Sequence, residues 1–354
     1  MTTRNVKTML LLRQIVLVAA GFLVLGFGGC SRQSEDGADQ SDSASLRIVA
    51  TTTQAGDIMR VLSDGLGHVD VAILMGAGVD PHLYQPSEAD VRLMSNADLI
   101  VYSGLNLEGQ FERVFRALRQ RGTEIFSMGS VIEQEGFALT SGEDAYASDP
   151  HFWFDPRNWQ LVATSLGEYL ADIDAPHAAV YQERAQTYVA QLDALFSWAE
   201  EGLASVPEGQ RHLVTSHDAF RYFGSAFGWS MRAIQGLSTE DTAGVGDIQE
   251  TVDFVIQQSI PVLFVESSVP PDTIRAVQEA VRAQGADVDL AVREMYGDAM
   301  DDPGLFGGTY IGMLGTNVMT SLQSYQCAGV DAMVPPWPEE LPDVPGTLTS
   351  PDCE

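Results

Sequence analysis

The segment APHAAVYQERAQTYVAQLDALFSWAEEGL, residues 175–203, contains no glycine before Gly202 and has proline only at its second position. Proline is tolerated in the first turn of a helix, where its missing N–H would have no intrahelical partner. The apolar residues recur every three or four positions, the spacing of one helix face; they are Tyr181, Ala185, Tyr188, Leu192, Leu195, Ala199 and Leu203. We predict a linking helix over residues 175–206, with a length of about 43 Å for the segment quoted.

The sequences on both sides of this helix alternate short apolar runs with amphipathic stretches. Residues 46–174 contain LRIVATTT, VDVAILMG, LIVYSG and EIFSMG, and residues 207–326 contain RHLVTSH, WSMRAIQG, VLFVESS and VDLAVRE. Such runs are typical of buried strands, and their alternation with helices produces parallel sheets. We therefore predict an α/β fold of two lobes with mostly parallel sheets, joined by the long helix. Residues 327–354 form a proline-rich tail without periodic structure.

The N-terminus has the pattern of a signal peptide. An apolar run over residues 15–27 is shorter than the ~20 residues that a membrane-spanning helix needs. Three basic residues precede the apolar run and give the N-terminus a positive charge; they are Arg4, Lys7 and Arg13. We expect residues 1–29 to be removed as a lipoprotein signal peptide.

The cysteine that follows this segment predicts a lipid anchor. Gly28-Gly29-Cys30 is similar to a bacterial lipobox, so we expect Cys30 to be acylated; ordinary signal cleavage is the alternative. Residues 30–45 are polar and predict a disordered tether. The folded part is therefore expected outside the cytoplasm, in the periplasm or at the outer face of the cytoplasmic membrane.

The charge balance excludes one class of partner. The chain has 49 acidic and 19 basic residues and a net charge of -30, whereas nucleic-acid binding needs a basic surface. Cys327 and Cys353 are the only other cysteines. Because an exported chain meets oxidising conditions, these two can form a disulfide that pins the tail, with two free thiols as the alternative.

Three histidines and one aspartate at the ends of apolar runs predict a metal site. His82 and His151 each lie in a D-P-H triplet, His217 follows HLVTS, and Asp298 follows VDLAVRE. In α/β sheets, ligands bind outside the carboxyl ends of the strands, so we expect these side chains to meet in a cleft. Imidazole and carboxylate groups suit a divalent transition metal.

Other residues of the same types are weaker candidates. His68 and His177 carry no motif and are expected at the surface. Ser216 and Asp218 flank His217 and are expected to orient its ring. Three competitors for the ligand roles lie at the start of a strand or in an acidic loop; they are His212, Asp301 and Asp302.

Several motifs, in this order along the chain, resemble the zinc/manganese-type solute-binding proteins of bacterial ABC importers. The matching stretches include GAGVDPHLYQPSEADV, SDPHFWFDPRNW, LVTSHDAFRYFGSAFGW and EMYGDAM, and the resemblance extends over residues 46–326. It implies two α/β lobes on one rigid helix and a single buried metal in the cleft. It also assigns the ligand roles to His82, His151, His217 and Asp298.

The resemblance implies a binding function without catalysis. The protein would capture metal outside the membrane and, as a monomer, deliver it to an importer permease. Three imidazoles and one carboxylate favour Zn²⁺, with Mn²⁺ second. The acidic loop over residues 133–149 contains no histidine, whereas many zinc members have a histidine-rich loop there. Because the ligands must be deprotonated, we expect the affinity to fall as the pH drops near 6.

Two functions from other classes remain as alternatives. A mononuclear zinc hydrolase would use three histidines and a water, but the sequence contains no H-E-x-x-H motif. An adhesin or structural lipoprotein would bind metal only incidentally. Four protein ligands would favour metal capture, whereas three ligands and a water would favour the hydrolase. Unchanged metal import in cells whose copy carries His151→Ala would favour the adhesin or structural role.

Overall fold

A computed structural model describes residues 45–140, 147–240, 242–350 and 353. The predicted signal peptide, Cys30 and the predicted tether up to residue 44 lie outside the described residues. The structure confirms the α/β class, with parallel sheets in two lobes and a long helix between them. Among the described residues, no helix is both long and apolar enough to cross a membrane.

The N-terminal lobe contains a four-stranded parallel sheet with the order β2-β1-β3-β4. Its strands are β1 (Leu46–Ala50), β2 (Val69–Ile73), β3 (Leu99–Tyr102) and β4 (Glu124–Ser127). Its helices are α1 (Thr53–Ser63), α2 (Glu88–Ser95), α3 (Glu112–Gln120), α4 (Met128–Gln134) and α5 (Pro156–Ile173). The central strands are largely apolar, as expected of strands covered on both faces.

The C-terminal lobe contains shorter strands than the sequence predicts. They form two parallel pairs, and a hydrogen bond of 2.9 Å from Phe264 N to Val214 O joins the pairs. The strands are β5 (His212–Thr215), β6 (Ser230–Ala233), β7 (Val262–Leu263) and β8 (Asp289–Leu290). The long helix and the helices that follow it are α6 (Ala178–Ser205), α7 (Arg221–Phe227), α8 (Val245–Gln258), α9 (Asp272–Ala283) and α10 (Tyr310–Cys327).

The predicted long helix is α6, which spans 28 residues. It begins later than the sequence suggests because Ala175–His177, with the predicted first-turn proline, form a separate 3-10 turn. The helix packs against α1 and α5 of the N-terminal lobe and against α7 and α10 of the C-terminal lobe. Gly167 permits the close approach of α5, since a Cβ there would lie 2.7 Å from Cβ of Ala185. The buried face of α6 is thus shared between the lobes.

Beyond Cys327, the last residue of α10, the proline-rich tail contains no α-helix or strand among its described residues, yet it packs on the long helix. Trp198 Nε1 on α6 donates a hydrogen bond of 3.1 Å to Pro335 O. Its ring meets Trp337 edge-on, with 4.7 Å between centroids. A disulfide joins Cys327, at the end of α10, to Cys353, with 5.3 Å between the Cα atoms. The tail therefore covers apolar surface instead of extending into solvent.

Candidate metal centre

The two D-P-H triplets hold their histidines by the same local hydrogen bond. Oδ1 of Asp80 accepts from the backbone N–H of His82 at 2.9 Å, and Oδ1 of Asp149 accepts from that of His151 at 2.9 Å. His82 lies in the loop after β2. His151 lies just before a 3-10 turn that leads into α5, so its predicted position directly at the end of a strand is wrong. Each aspartate thus fixes the backbone that presents its histidine.

The C-terminal lobe contributes the other two side chains. His217 follows β5 by two residues, and Asp298 lies in the segment between β8 and α10. The N–H of Asp298 donates to Ser268 Oγ at 3.2 Å. Its backbone carbonyl accepts from Gln54 Nε2, in α1 of the other lobe, at 2.9 Å. Asp298 is therefore held by both lobes.

The structure brings all four predicted side chains together, fully buried, at the meeting of the lobes. His151 Nε2 lies 3.3 Å from His82 Nε2 and 3.3 Å from Asp298 Oδ1. Oδ2 of Asp298 lies 3.2 Å from His217 Nε2 and 3.7 Å from His82 Nε2. Ligands about 2.0–2.1 Å from a tetrahedral ion are about 3.3 Å apart, so these separations match one coordination shell.

The orientation of the polar atoms supports the same conclusion. Within the described part of the chain, neither carboxylate oxygen of Asp298 nor Nε2 of His217 makes a hydrogen bond of acceptable geometry. Buried polar atoms normally have partners, because leaving one unsatisfied costs about 1–3 kcal/mol. The two carboxylate oxygens of Asp298 and Nε2 of His217 therefore converge in the way that ligands to a common ion do.

Two further carboxylates orient the rings. Oδ1 of Asp149 lies 2.8 Å from Nδ1 of His151. Oε2 of Glu266 lies 2.6 Å from Nδ1 of His217, and Oε1 accepts from the backbone N–H groups of Ser216 and His217, each at 2.9 Å. Carboxylates in this position fix the tautomer of a ligating histidine and raise its basicity. The far nitrogen of each ring is thereby directed toward the common centre.

The predicted orienting role of the residues flanking His217 is wrong. Asp218 faces Arg221 at 3.9 Å, and Glu266, from the segment after β7, takes the role at the ring. Sequence analysis missed Glu266 because nothing in the sequence ties it to a histidine 49 positions earlier. Its place directly after the apolar run VLFV was the available signal.

The cluster contains histidines with opposite protonation tendencies. Burial lowers the pKa of His82 to about 3, although the charge of Asp298 opposes the shift. Burial also disfavours the charged form of His151, but the nearby carboxylates of Asp149 and Asp298 raise its pKa to about 9. For His217, the charges of Glu266 and Asp298 outweigh burial and raise the pKa well above its usual value. Two imidazolium groups thus offset part of the charge of the three buried carboxylates, Asp149, Glu266 and Asp298, when no metal is bound.

The carboxylate of the cluster is ionised. Burial acts to raise the pKa of Asp298, but the neighbouring imidazole groups of His217, His151 and His82 hold it well below its usual range. An ionised carboxylate among imidazoles suits a divalent cation, which can replace the imidazolium protons with little change in net charge.

The competing candidates lie elsewhere. The ring of His212 meets Phe254 edge-on at 5.9 Å between centroids, at the start of β5. Asp301 accepts hydrogen bonds from Tyr296 Oη and from the backbone N–H of Asp302. His68 and His177, expected at the surface, are partly buried; their rings stack at 4.2 Å and both contact the carboxylate of Asp174.

Hydrogen bonds across the cleft hold the lobes together. Thr239 Oγ1 donates to Asp80 Oδ2 at 2.5 Å, and Gln110 Nε2 donates to Glu240 Oε1 at 2.9 Å. The N–H of Met300 donates to Thr53 Oγ1 at 2.9 Å. The buried cluster is therefore enclosed, and an ion can enter or leave only if some of these contacts open.

Glu266→Gln is expected to weaken zinc binding by about 10- to 100-fold, the usual cost of losing an outer partner of a ligating histidine. The amide keeps the size of the side chain but loses the charge that raises the basicity of His217. Isothermal titration calorimetry measures the change. Glu250→Gln, at an exposed glutamate of α8, is the control and should leave the affinity unchanged. Equal affinities for the two variants would contradict the role of Glu266.

Two α/β lobes on a rigid helix, with a closed cluster of three imidazoles and a carboxylate between them, define a class of metal-binding protein. Residues 48–323 match the family described as zinc-uptake complex component A, periplasmic. The match covers most of the chain, and the protein belongs to this family.

Individual relatives and solved structures agree with this assignment. The manganese-binding lipoprotein MntA of Bacillus subtilis (strain 168) is 35% identical over 309 residues, which cover 87% of this chain and 98% of the relative. The zinc-binding protein TroA of Treponema pallidum (strain Nichols) is 36% identical over 273 residues, 77% of this chain and 86% of the relative. The solved structure of periplasmic zinc-binding TroA from Treponema pallidum superposes with a TM-score of 0.75, at 36% identity, and covers 79% of this chain and 99% of that one.

Proposed function

We propose that this protein captures a divalent transition metal outside the cytoplasm and delivers it to the membrane permease of an ABC importer. His82, His151, His217 and Asp298 are the proposed ligands. The observation that carries the proposal is the convergence of their buried ligand atoms at separations of 3.2–3.7 Å. The relatives support the transport role, since one is named a metal ABC transporter substrate-binding lipoprotein, SsaB of Streptococcus sanguinis.

The donor set favours Zn²⁺ as the cargo, with Mn²⁺ second. Three nitrogens and one carboxylate fill a tetrahedral shell, whereas Mn²⁺ is better served by more oxygen ligands. The two relatives reported above are named for manganese and for zinc. Because affinity at a given N/O site rises from Mn²⁺ to Zn²⁺, zinc is expected to displace manganese from this site.

The protein is proposed to act as a monomer tethered to the membrane. A lipid on Cys30 would hold it there, and residues 30–45 would let the folded lobes reach the permease. Related proteins are named lipoproteins, which agrees with the lipobox-like Gly28-Gly29-Cys30. Metabolic labelling with a radioactive fatty acid tests the anchor, since Cys30→Ser should abolish incorporation.

The alternatives are less well supported. A catalytic zinc site keeps one position open for water, but here four side chains fill the shell and are fully buried. The family and its relatives are substrate-binding components of transporters. An adhesin or structural role with incidental metal predicts unchanged metal import in cells whose copy carries His151→Ala.

Metal analysis tests the capture role directly. Protein purified without added metal should contain close to one bound transition metal ion per chain in the cleft, zinc in excess of manganese. In competition, zinc should displace bound manganese, and manganese should not displace zinc. A protein that binds neither ion with His82, His151, His217 and Asp298 intact would refute the proposal.

A further inference from the structure

A second group of imidazole and carboxylate side chains lies in the N-terminal lobe, outside the cleft. His68 Nε2 is 2.8 Å from Asp174 Oδ2. His177 Nδ1 is 3.0 Å from each oxygen of the same carboxylate. One ligand atom from each of the three residues lies within 4.8 Å of the others. The cluster joins the turn before β2 to the junction between α5 and α6.

We propose that His68, Asp174 and His177 form a second site for a divalent transition metal, with Zn²⁺ as the ion that fits best. Two imidazole nitrogens and one carboxylate are accepted zinc ligands, and water completes the shell of an open tetrahedral site. Ca²⁺ and Mg²⁺ prefer shells of oxygen atoms, so the nitrogen donors select against them. The site is independent of the cleft cluster and of the transport role proposed above.

The shared carboxylate is held in place by groups that do not have to move when an ion binds. Buried Tyr181 donates a hydrogen bond of 2.8 Å to Oδ2 of Asp174. The backbone N–H of Asp174 donates to Leu170 O at 2.9 Å, and its carbonyl accepts from the N–H of His177 at 2.9 Å. Hydrogen bonds of this kind orient a ligating carboxylate.

The charge state of the carboxylate suits a metal ligand. Burial acts to raise the pKa of Asp174, but hydrogen bonds from His177, His68 and Tyr181 lower it below its ordinary value. Asp174 is therefore ionised at neutral pH, as metal binding requires. The strongly acidic chain, with a net charge of -30, also favours the approach of cations.

The cluster is open to solvent on the side of His177. The His177 side chain is 34% exposed, whereas those of His68 and Asp174 are 12% and 14% exposed. The nitrogen–oxygen separations are slightly shorter than the about 3.3 Å between ligands of tetrahedral zinc. Both imidazoles must therefore move slightly away from Asp174 to admit the ion, and the exposure of His177 leaves it room to do so.

A zinc titration followed by isothermal titration calorimetry tests the proposal. The wild-type chain should bind two zinc ions, first in the cleft and then, more weakly, at this cluster. His68→Gln and His177→Gln keep a hydrogen-bond donor near Asp174 but remove the imidazole, and each should lose the second ion only. His212→Gln is the matched control, because this histidine belongs to neither cluster, and it should keep both ions.

A variant with His151→Ala and Asp298→Asn separates the two sites. It should lose the cleft ion, retain one zinc ion, and lose that ion when His177→Gln is added. Zinc should also raise its unfolding temperature, since an ion that binds only the folded state stabilises it. The proposal would be overturned if the wild-type chain bound only one zinc ion. It would also be overturned if folded protein with both His68→Gln and His177→Gln still bound a second ion. Neither outcome depends on what the cleft binds.

Discussion

His151→Ala is expected to lower the affinity for zinc by at least about 100-fold. A four-ligand zinc site contributes about 10–16 kcal/mol, so one ligand of four accounts for about 3 kcal/mol, and each 1.4 kcal/mol is tenfold in affinity. His151 lies 3.3 Å from both His82 and Asp298, so its removal opens the centre of the cluster. It also leaves the buried carboxylate of Asp149 without its imidazole partner. Competition with a chelator of known affinity measures the loss at the cleft.

His212→Ala is the matched control for this substitution. It removes a histidine of the same lobe as His217 but from the opposite end of β5, away from the cluster. Affinity for zinc in the cleft should stay within about twofold of the wild-type value, with circular dichroism used to verify that both variants are folded. A similar loss in the two variants, or none in His151→Ala, would show that the cleft cluster does not hold the ion.

Metal affinity is expected to fall steeply on acidification, beginning well above pH 6.5. The raised pKa of His151, about 9, and that of His217 mean that both rings carry protons at neutral pH in the metal-free protein. Zinc must displace these protons, and each one displaced costs about tenfold in affinity per pH unit. His82, with a pKa of about 3, is already neutral and contributes nothing. The proton on His151 alone costs about tenfold between pH 8 and pH 7, and the raised pKa of His217 makes the expected loss larger than that.

Calorimetry in buffers of different ionisation enthalpy measures the protons released, with two expected at pH 7. The same pKa shift affects the stability of the metal-free protein. Because the pKa of His151 is higher in the folded than in the unfolded chain, protonation of this ring stabilises the fold below about pH 6.5. This stabilisation is lost as the pH rises through about 9. Glu266→Gln should release fewer protons, because it removes the charge that raises the pKa of His217. Zinc affinity that is constant from pH 6 to pH 8 would contradict proton displacement.

The pH range over which metal affinity falls could not be predicted from the sequence. Sequence analysis predicted a loss of affinity near pH 6, the ordinary histidine range, because an isolated motif carries no information about neighbouring charges. In the structure, His151 has the carboxylate of Asp149 beside it and His217 has that of Glu266, in addition to Asp298. The only carboxylate that acts on His82 is that of Asp298. Identical side chains consequently have pKa values of about 3 and about 9 in one cluster.

The local features were predictable because their causes are local. The three- and four-residue spacing in residues 178–205 specifies a helix with one buried face, and apolar runs separated by helices specify parallel strands. In each D-P-H triplet, the aspartate bonds to the backbone only two residues away. Hydrophobic spacing and short-range hydrogen bonds act within a few residues, so they are visible along the chain.

Tertiary packing decided everything that depends on residues distant along the chain. Glu266 reaches a histidine 49 positions away, and His68 meets Asp174 across 106 positions, yet neither pair shares a motif. The proline-rich tail appeared unstructured but covers Trp198 on the long helix. The sequence contains the ligand types and the elements that present them. Their distances and protonation are set only when folding brings the lobes together and excludes water, because burial and neighbouring charge are properties of position in space.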